Sequence, residues 1–431
     1  MKLIFVTQEF SGLGFALLAQ SQGSEVLLAH KPQKNEPLKD EYKLVGKGLV
    51  KKIALNEAMN TEIGKGNIWI FDMNYHPEYA DKLRMIGEKV LGSGSLNYQI
   101  EEDRQFAMQI ANEYGLISPE YHKFNDIKEG IDFLKSRPGE AFAFKPDETN
   151  LSYLTFVPSN WDDELASEET IKYMENISDV KSFVLQKRIK GTEINVEAWM
   201  YKGKPFFAFL TLENKRKGAK DTGENIGCAF DITHTISLES DLIKNTLGKL
   251  FPFYTEKQYT GMIDANIIID DNNFYFIEAG NRFGYNAHPN LFLNLAREPF
   301  EVIISEWLNG NIEDFYSNFK YGFGAGLTLY LDHPRKGIPL TIKKEAKDKF
   351  YLYDGYLEKN DLLLTGYSQD IGIMCGYGMT IKDAECNALD AVDVFEEVSF
   401  PNIYYRADFC DCDFSNSPAK RFEALECAKL I

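Results

Sequence analysis

The sequence predicts a multi-domain chain, α/β at its start and α+β further on, from three observations. Its 431 residues exceed what one hydrophobic core sustains and point to about two to four lobes, at roughly 100–200 residues per domain. Residues 1–90 alternate strand, turn and helix, the pattern of a parallel sheet with helical crossovers. Further along, alternating or apolar runs are joined by short turns, which is an antiparallel pattern.

In chain order, KLIFVT and SEVLLAH read as strands around the helix FALLAQSQ, followed by the strand GNIWIFD and a polar helix from about Glu78. The turn FSGLG holds Gly12 and Gly14. Amides there, at a helix start, would face an anionic ligand, or the glycines merely allow a tight turn. Phe106, Ile110 and Tyr114 are spaced as on an amphipathic helix, and AFAFK is a short apolar strand ending on Lys145. KSFVLQKRI, INVEAWMYKGKPFFAFLTL and GMIDANIIIDDNNFYFIEAG form the antiparallel group, with Lys-Gly and Asp-Asn-Asn turns. After about Asn290 come two helices, a third strand set (FGAGLTLYLD, KFYLYDGYLEKNDLLLTG, SQDIGIMCGYG), the helix IKDAECNALDAVDVFEEV and the terminal NIYYRADF.

A formal charge of −18 argues against nucleic acid or an anionic membrane as partner, so any phosphate site must be a local cationic pocket. No apolar run approaches the ~20 residues that span a bilayer, and Gln8 and Glu9 interrupt MKLIFVTQEF too early for a signal peptide, so a cytoplasmic protein is expected. The six cysteines are irregularly spaced. Only Cys410 and Cys412 are close, and with no second Cys or His pair nearby they read as free thiols.

Two segments carry chemistry. ENKRKGAKDTGENIGC, Glu213 to Cys228, is almost devoid of apolar residues. It is either a solvated charge run or a site gripping phosphate and amine together. In FYFIEAGNRFGY an acid, Glu278, closes an apolar strand and is followed by Gly280, Asn281 and Arg282. Hard oxygen donors beside a cation suit Mg²⁺ held with phosphate, although Glu278 could equally be a strand-end acid paired to Arg282.

Together these segments resemble the ATP-grasp superfamily and, within it, the glycinamide ribonucleotide synthetases (phosphoribosylamine–glycine ligases). The family's DHKR…DxGPNTGGMGA segment appears as ENKRKGAKDTGENIGCAF, with Lys215, Arg216, Asp221, Gly223, Asn225 and Gly227 in register. Its LEFNxRFGDP appears as FIEAGNRFGY, its VxxExFLxGEE as VLQKRIKGTE and its terminal YRRDIG as YYRADF.

The resemblance implies an ATP-grasp fold with an N-terminal parallel α/β domain (1–98), an ATP-grasp domain (99–310, nucleotide-binding part about 120–190) and a C-terminal mixed α/β domain (311–431). It implies ATP with Mg²⁺ or Mn²⁺. Arg104 and Lys145 would meet the nucleotide's phosphates, the Gln186, Lys187, Arg188 and Ile189 hinge its adenine, and Glu193 its ribose. Glu278 would bind metal, with Asn281 or Asn266 supplying a further oxygen. Lys215, Arg216, Asp221, Asn225 and Arg282 would handle substrates, the polar segment closing as a lid in which Lys215 and Arg216 face anions and Asp221 or Glu213 receives an ammonium.

The implied reaction joins a carboxylate such as glycine to a phosphoribosylamine-like amine through an acyl phosphate, in a monomer or small homo-oligomer. Departures keep two other readings open. The family's glycine-rich loop is replaced by KPDETNLSYLTFV, Asn281 is displaced by one position, and GDPE becomes Gly284-Tyr285-Asn286-Ala287. The amine could therefore differ, or the chain could bind nucleotide without ligating.

Overall fold

A computed structural model describes residues 1–32, 40–147, 151, 154–160, 162–178, 180–270, 273–396, 403–409, 414 and 416–431. Residues 148–150 and 152–153 of the loop after Lys145, and Cys410 and Cys412, lie outside the described residues. The chain divides into two compact units, Met1–Ala107 with Glu193–Asn266 and Glu278–Ile431, and Met108–Thr192 with Ile267–Ile277.

The first unit opens with a parallel sheet of β1 (Lys2–Thr7), β2 (Glu25–His30), β3 (Lys52–Ala54), β4 (Ile68–Phe71) and β5 (Lys89–Leu91), in the order β3-β2-β1-β4-β5. The central strands β1, β2 and β4 are near-continuous buried apolar runs, as expected of parallel strands covered on both faces. Ile4, Val6, Leu27, Trp69, Phe71 and Val90 share one core cluster. The helix α1 (Leu13–Ser21) follows the glycine turn. A methyl at Gly14 would lie 2.4 Å from the Tyr351 ring, so this glycine serves close packing.

In the second unit, β6 (Tyr121–Phe124), β7 (Phe142–Pro146) and β8 (Phe183–Lys187) pair antiparallel in the order β6-β8-β7. Phe142, Phe144, Phe183 and Leu185 pack on Ile131, Leu134 and Met174. Strand alternation then puts Lys145 and Gln186 on the opposite face.

The remaining large strands are β9 (Thr192–Tyr201), β10 (Lys204–Gly218), β11 (Thr222–Thr235), β12 (Gly261–Asp270), β13 (Asn273–Glu278), β14 (Phe323–Tyr330), β15 (Phe350–Leu352) and β18 (Asp370–Gly378), with a small hairpin of β16 (Tyr356–Glu358) and β17 (Asp361–Leu363). Within the first unit the order is β12-β9-β10-β11-β14-β18-β15. The Lys-Gly turn between β9 and β10 is a tight hairpin in which Lys202 and Gly203 both have positive φ, 46° and 79°.

This arrangement divides the chain differently from the three expected lobes. β14 pairs with β11 and β18 with β14, so residues beyond 310 complete a sheet begun by β9–β11. Pairings that distant in sequence leave no local mark at a boundary. Among the described residues no helix is long and apolar enough to cross a membrane, and none of the four described cysteines forms a disulfide.

The helix Ile381–Glu396 buries an acid. Glu385 is 1% exposed, neither of its carboxylate oxygens has a hydrogen-bond partner, and burial pushes its pKa up to about 8. The folded chain thus keeps a proton that the unfolded chain releases near pH 4, and this group subtracts stability as pH rises from about 4 to 8. Glu385→Gln should raise the unfolding free energy at pH 9 by about 5 kcal/mol and leave it unchanged at pH 4. Urea midpoints that shift equally at both pH values would contradict this.

Candidate active site

The segment expected to be a lid is the outer half of a β-hairpin. β10 and β11 continue past the sheet with register shifts at Asn214, Arg216 and Gly218, and turn at Ala219–Asp221, where Lys220 and Asp221 have φ of 54° and 58°. Its tip is tied down from the chain's far end. Arg406 Nη1 donates to Asp221 Oδ1 at 2.5 Å, Asn416 Nδ2 donates to Asp221 Oδ2 at 2.7 Å, and Asp408 accepts from the Lys220 amide at 2.6 Å. Asn214 also donates to Asp221, at 3.0 Å. The Asp221 carboxylate, expected to receive a substrate ammonium, is engaged instead by the Arg406 guanidinium. Asn225 is exposed and caps its own turn through the Gly227 amide, 2.9 Å away. Arg216 donates to the Gly223 carbonyl at 2.9 Å. Neither Asn225 nor Arg216 is placed by these contacts beside Lys215.

Lys215 points into a carboxylate cluster. Its Nζ lies 2.7 Å from Glu193 Oε1 and 3.9 Å from Glu213 Oε2. Burial alone would lower its pKa, but the charges of Glu193, Glu213 and Glu278 outweigh this and raise it, fixing the ammonium. Glu193 is held below the usual carboxylate range, chiefly by Lys215, while burial pushes Glu213 up. Behind them Arg421, on the helix Pro418–Cys427, donates to the Glu193 carbonyl at 2.9 Å and to Asn214 Oδ1 at 2.8 Å.

Glu278 ends β13 beside Asn266, whose Nδ2 donates to Glu278 Oε1 at 3.1 Å. Asn195 bridges Asn266 Oδ1 (3.3 Å) and Asp264 Oδ2 (3.2 Å). Asp264 Oδ1 accepts from the amides of Gly280 at 2.7 Å and Asn281 at 2.5 Å. This clamp holds Asn281 at a φ of 39° and turns its fully buried side chain to the Tyr254 hydroxyl, 2.8 Å away. Asn281 is thus corrected from metal ligand to a buried structural amide. The hard donors that fit a divalent cation are Glu278 and, with its amide turned so that oxygen faces the ion, Asn266.

Arg282 pairs with Glu101 rather than Glu278. Its Nε is 3.2 Å from Glu101 Oε1, and the guanidinium lies 5.3 Å from the Tyr285 ring centre. Asn74 donates to Glu101 Oε2 (2.8 Å) and to the Gly280 carbonyl (2.7 Å), and Asn97 to the Asn281 carbonyl (2.8 Å). Deeper still, buried Glu197 and His288 lie 2.9 Å apart, and His288 Nδ1 accepts from the Gly284 amide at 2.8 Å. The turn after Glu278 is thereby fixed on two sides.

In the second unit Lys145 and Gln186 are both buried on one sheet face, and Gln186 Nε2 has no hydrogen-bond partner. A buried donor left unsatisfied fits a ligand acceptor. The Lys187 amide donates to the Glu120 carbonyl at 2.7 Å and the Arg188 amide to the Ala141 carbonyl at 2.8 Å. Their side chains pair with Glu140 and Asp163, each at 2.9 Å. Of the four hinge residues, Gln186 and Ile189 are the ones these contacts leave for a base. Arg104, which belongs to the first unit, has a buried Nη1 without a partner.

No family model matches the chain. It is 22% identical to the phosphoribosylamine–glycine ligase of Clostridium acetobutylicum, over 91% of this chain and 98% of that one. The crystal structure of phosphoribosylamine–glycine ligase from Thermotoga maritima matches with a TM-score of 0.69 at 15% identity, covering 95% of this chain and 100% of the other. The biotin carboxylase domain of Hydrogenobacter thermophilus 2-oxoglutarate carboxylase, solved with MgADP, ADP and bicarbonate, matches with a TM-score of 0.60 at 12% identity, covering 100% and 98%. The chain has the ATP-grasp fold and resembles the phosphoribosylamine–glycine ligases along nearly its whole length.

Proposed function

We propose that the chain is an ATP-dependent carboxylate–amine ligase that forms an amide through an acyl phosphate, as expected of a protein most like the phosphoribosylamine–glycine ligases. The observation that supports this best is the Lys215 cluster. The cation of the KRKGAKDTGEN segment and the acid of the FIEAGNRF segment, far apart in sequence, act on one another's charge within one unit. Solvent-exposed charge runs have no need of such an arrangement.

In this reaction a carboxylate oxygen bonds to the γ-phosphorus of ATP as the bond to ADP breaks. The amine nitrogen then attacks the acyl carbon, phosphate leaves and the nitrogen loses a proton. Little covalent work falls to the protein, so positioning and charge dominate. Lys215 presents a permanent ammonium to the developing anion, and Glu193 and Glu213 hold it there. Lys145 and Gln186 contact the nucleotide in the second unit. Mg²⁺, or Mn²⁺ in its place, would be held by Glu278 and Asn266 and would offset the charge of the phosphates. Arg282, anchored by Glu101, keeps the substrate-side turn in place.

Release of ADP should depend on both an amino acid and an amine, and a panel of pairs that yields no amine-dependent ADP would overturn the ligase reading. Lys145→Met should weaken ADP binding about tenfold or more, the scale of one charge-assisted contact to phosphate. Fluorescence titration with a labelled nucleotide measures it, and unchanged affinity in a folded variant would remove Lys145 from the nucleotide site.

A further inference from the structure

Lys215 lies where the regular pairing of the large sheet gives out. The ladder between β9 and β10 ends at the Asn195–Thr211 pair, short of both Glu193 and Lys215. On its other edge β10 pairs with β11 as far as Asn214 and Phe230, and the register then shifts before Arg216. The 2.7 Å contact between Lys215 and Glu193 is therefore not set by a backbone ladder between their strands. Arg421 reaches both strand ends from outside that ladder. Its Nη1 donates to the Glu193 carbonyl at 2.9 Å, and its Nη2 donates to Oδ1 of Asn214, the neighbour of Lys215, at 2.8 Å. A guanidinium is a planar, rigid fork, so two acceptors held by its two ends are fixed relative to one another.

Packing alone does not account for this residue. Arg421 is 3% exposed, and the two oxygens it donates to belong to uncharged groups. Burial lowers its pKa, and only the more distant charges of Glu193, Asp221 and Glu213 oppose that. An apolar side chain of similar volume would avoid the penalty. It would lack the grip on two oxygens and the second cation behind Glu193. The helix Pro418–Cys427 does not need Arg421 to dock, because Phe422 packs on His234 and Phe323 with ring centres 5.6 and 5.0 Å away, and Leu425 is buried. Asn214 in turn is 1% exposed and donates to Asp221 Oδ1 at 3.0 Å and to the Asn416 carbonyl at 3.3 Å, so its amide cannot turn away from Arg421 without breaking both.

We propose that Arg421 is a positioning residue of the candidate site: through the Glu193 carbonyl and Asn214 it holds the Lys215 ammonium against Glu193. Its consequence for amide formation rests on the ligase reading, whereas the positioning itself stands apart from it. The helix Pro418–Cys427 thereby supports the site from behind, and the hairpin that carries Lys215 is held at its base by Arg421 as it is held at its tip by Arg406.

Crystal structures and turnover of the full chain and its variants test this. In Arg421→Met the Lys215 Nζ should leave ion-pair distance of Glu193. The turnover number for ADP release should fall about tenfold or more, since a misplacement of about 1 Å can cost 100-fold, with KM for ATP changed about twofold or less. In a Lys215→Met background the same substitution should lower turnover about twofold or less, because the group it positions is gone. Arg421→Lys keeps the charge and loses the fork. It should show a smaller fall that likewise vanishes without Lys215, and it carries the same cycle should the methionine variant fail to fold. Lys215 still within ion-pair distance of Glu193 in folded Arg421→Met would overturn the proposal. So would turnover that falls by the same factor with and without Lys215, which is what a merely structural residue would give. If no pair of amino acid and amine sustains ADP release, the ligase reading falls, and the crystallographic distance decides the positioning by itself.

Discussion

Replacing Lys215 by methionine is expected to slow amide formation about 100-fold or more, the scale of losing one preorganised charge contact at a developing anion, with little change in stability. The two effects separate because of where the pair sits. Lys215 and Glu193 side chains are 26% and 40% exposed, so water screens the ion pair and its share of folding free energy is about 1 kcal/mol or less. In the proposed reaction the same ammonium would face charge that forms only in the transition state, where a fixed cation is worth far more. Without it Glu193, Glu213 and Glu278 face the same place as unbalanced carboxylates, which repel a phosphoryl group. The turnover number from ADP release and the urea midpoint, measured on one preparation, check both halves. Unchanged turnover would place Lys215 outside the chemistry, and a loss of several kcal/mol would make it a structural residue.

What the sequence disclosed follows from how far apart interacting residues lie along it. Strands β1, β2 and β4 of the parallel sheet were legible because each is a short apolar run bounded by turn residues, whereas β3 and β5, short strands that each begin with a lysine, were not. The Lys202-Gly203 hairpin was legible for the same reason. The outer part of β10 and β11 was not. A two-stranded ribbon held by polar partners has no apolar face to repeat every second residue, so its strand character lies in backbone pairing alone. Of its anchors, Asn416 and Arg421 lie where nothing in the local pattern marks them, and Arg406, within YYRADF, gives no sign there of the carboxylate it holds.

The candidate site divides along the same line. Lys215 and Glu278 stood out because each lies in a dense run of unusual residues. Glu101, Asn195 and Arg421 lie singly in ordinary helix or strand, and only the fold shows that they hold Arg282, the Asp264–Asn266 pair and Asn214. Asn281 shows the limit of counting positions. Its displacement by one residue predicted a side chain facing the wrong way, and the left-handed backbone that the Asp264 clamp imposes turns that side chain into the core.

Arg406→Met is expected to destabilise the folded chain by about 3 kcal/mol or more, because it strands the carboxylates of Asp221 and Asp408 beside an apolar replacement. The Arg406 side chain is fully buried and Asp221 is 21% exposed, so screening offsets only part of the loss. Asp221→Asn should cost less, since the amide keeps one acceptor oxygen for Arg406. The double variant should cost less than the sum, with a coupling of about 1 kcal/mol or more between two groups in direct contact. This cycle also decides what Asp221 does. A substrate-binding carboxylate would lose affinity for the amine on conversion to asparagine while unfolding at the same urea concentration. An anchor for the hairpin tip would lower the midpoint and leave KM for the amine near its natural value, since Lys215 is held by its own carboxylates. The geometry favours the anchor, and a raised KM at an unchanged midpoint would refute it.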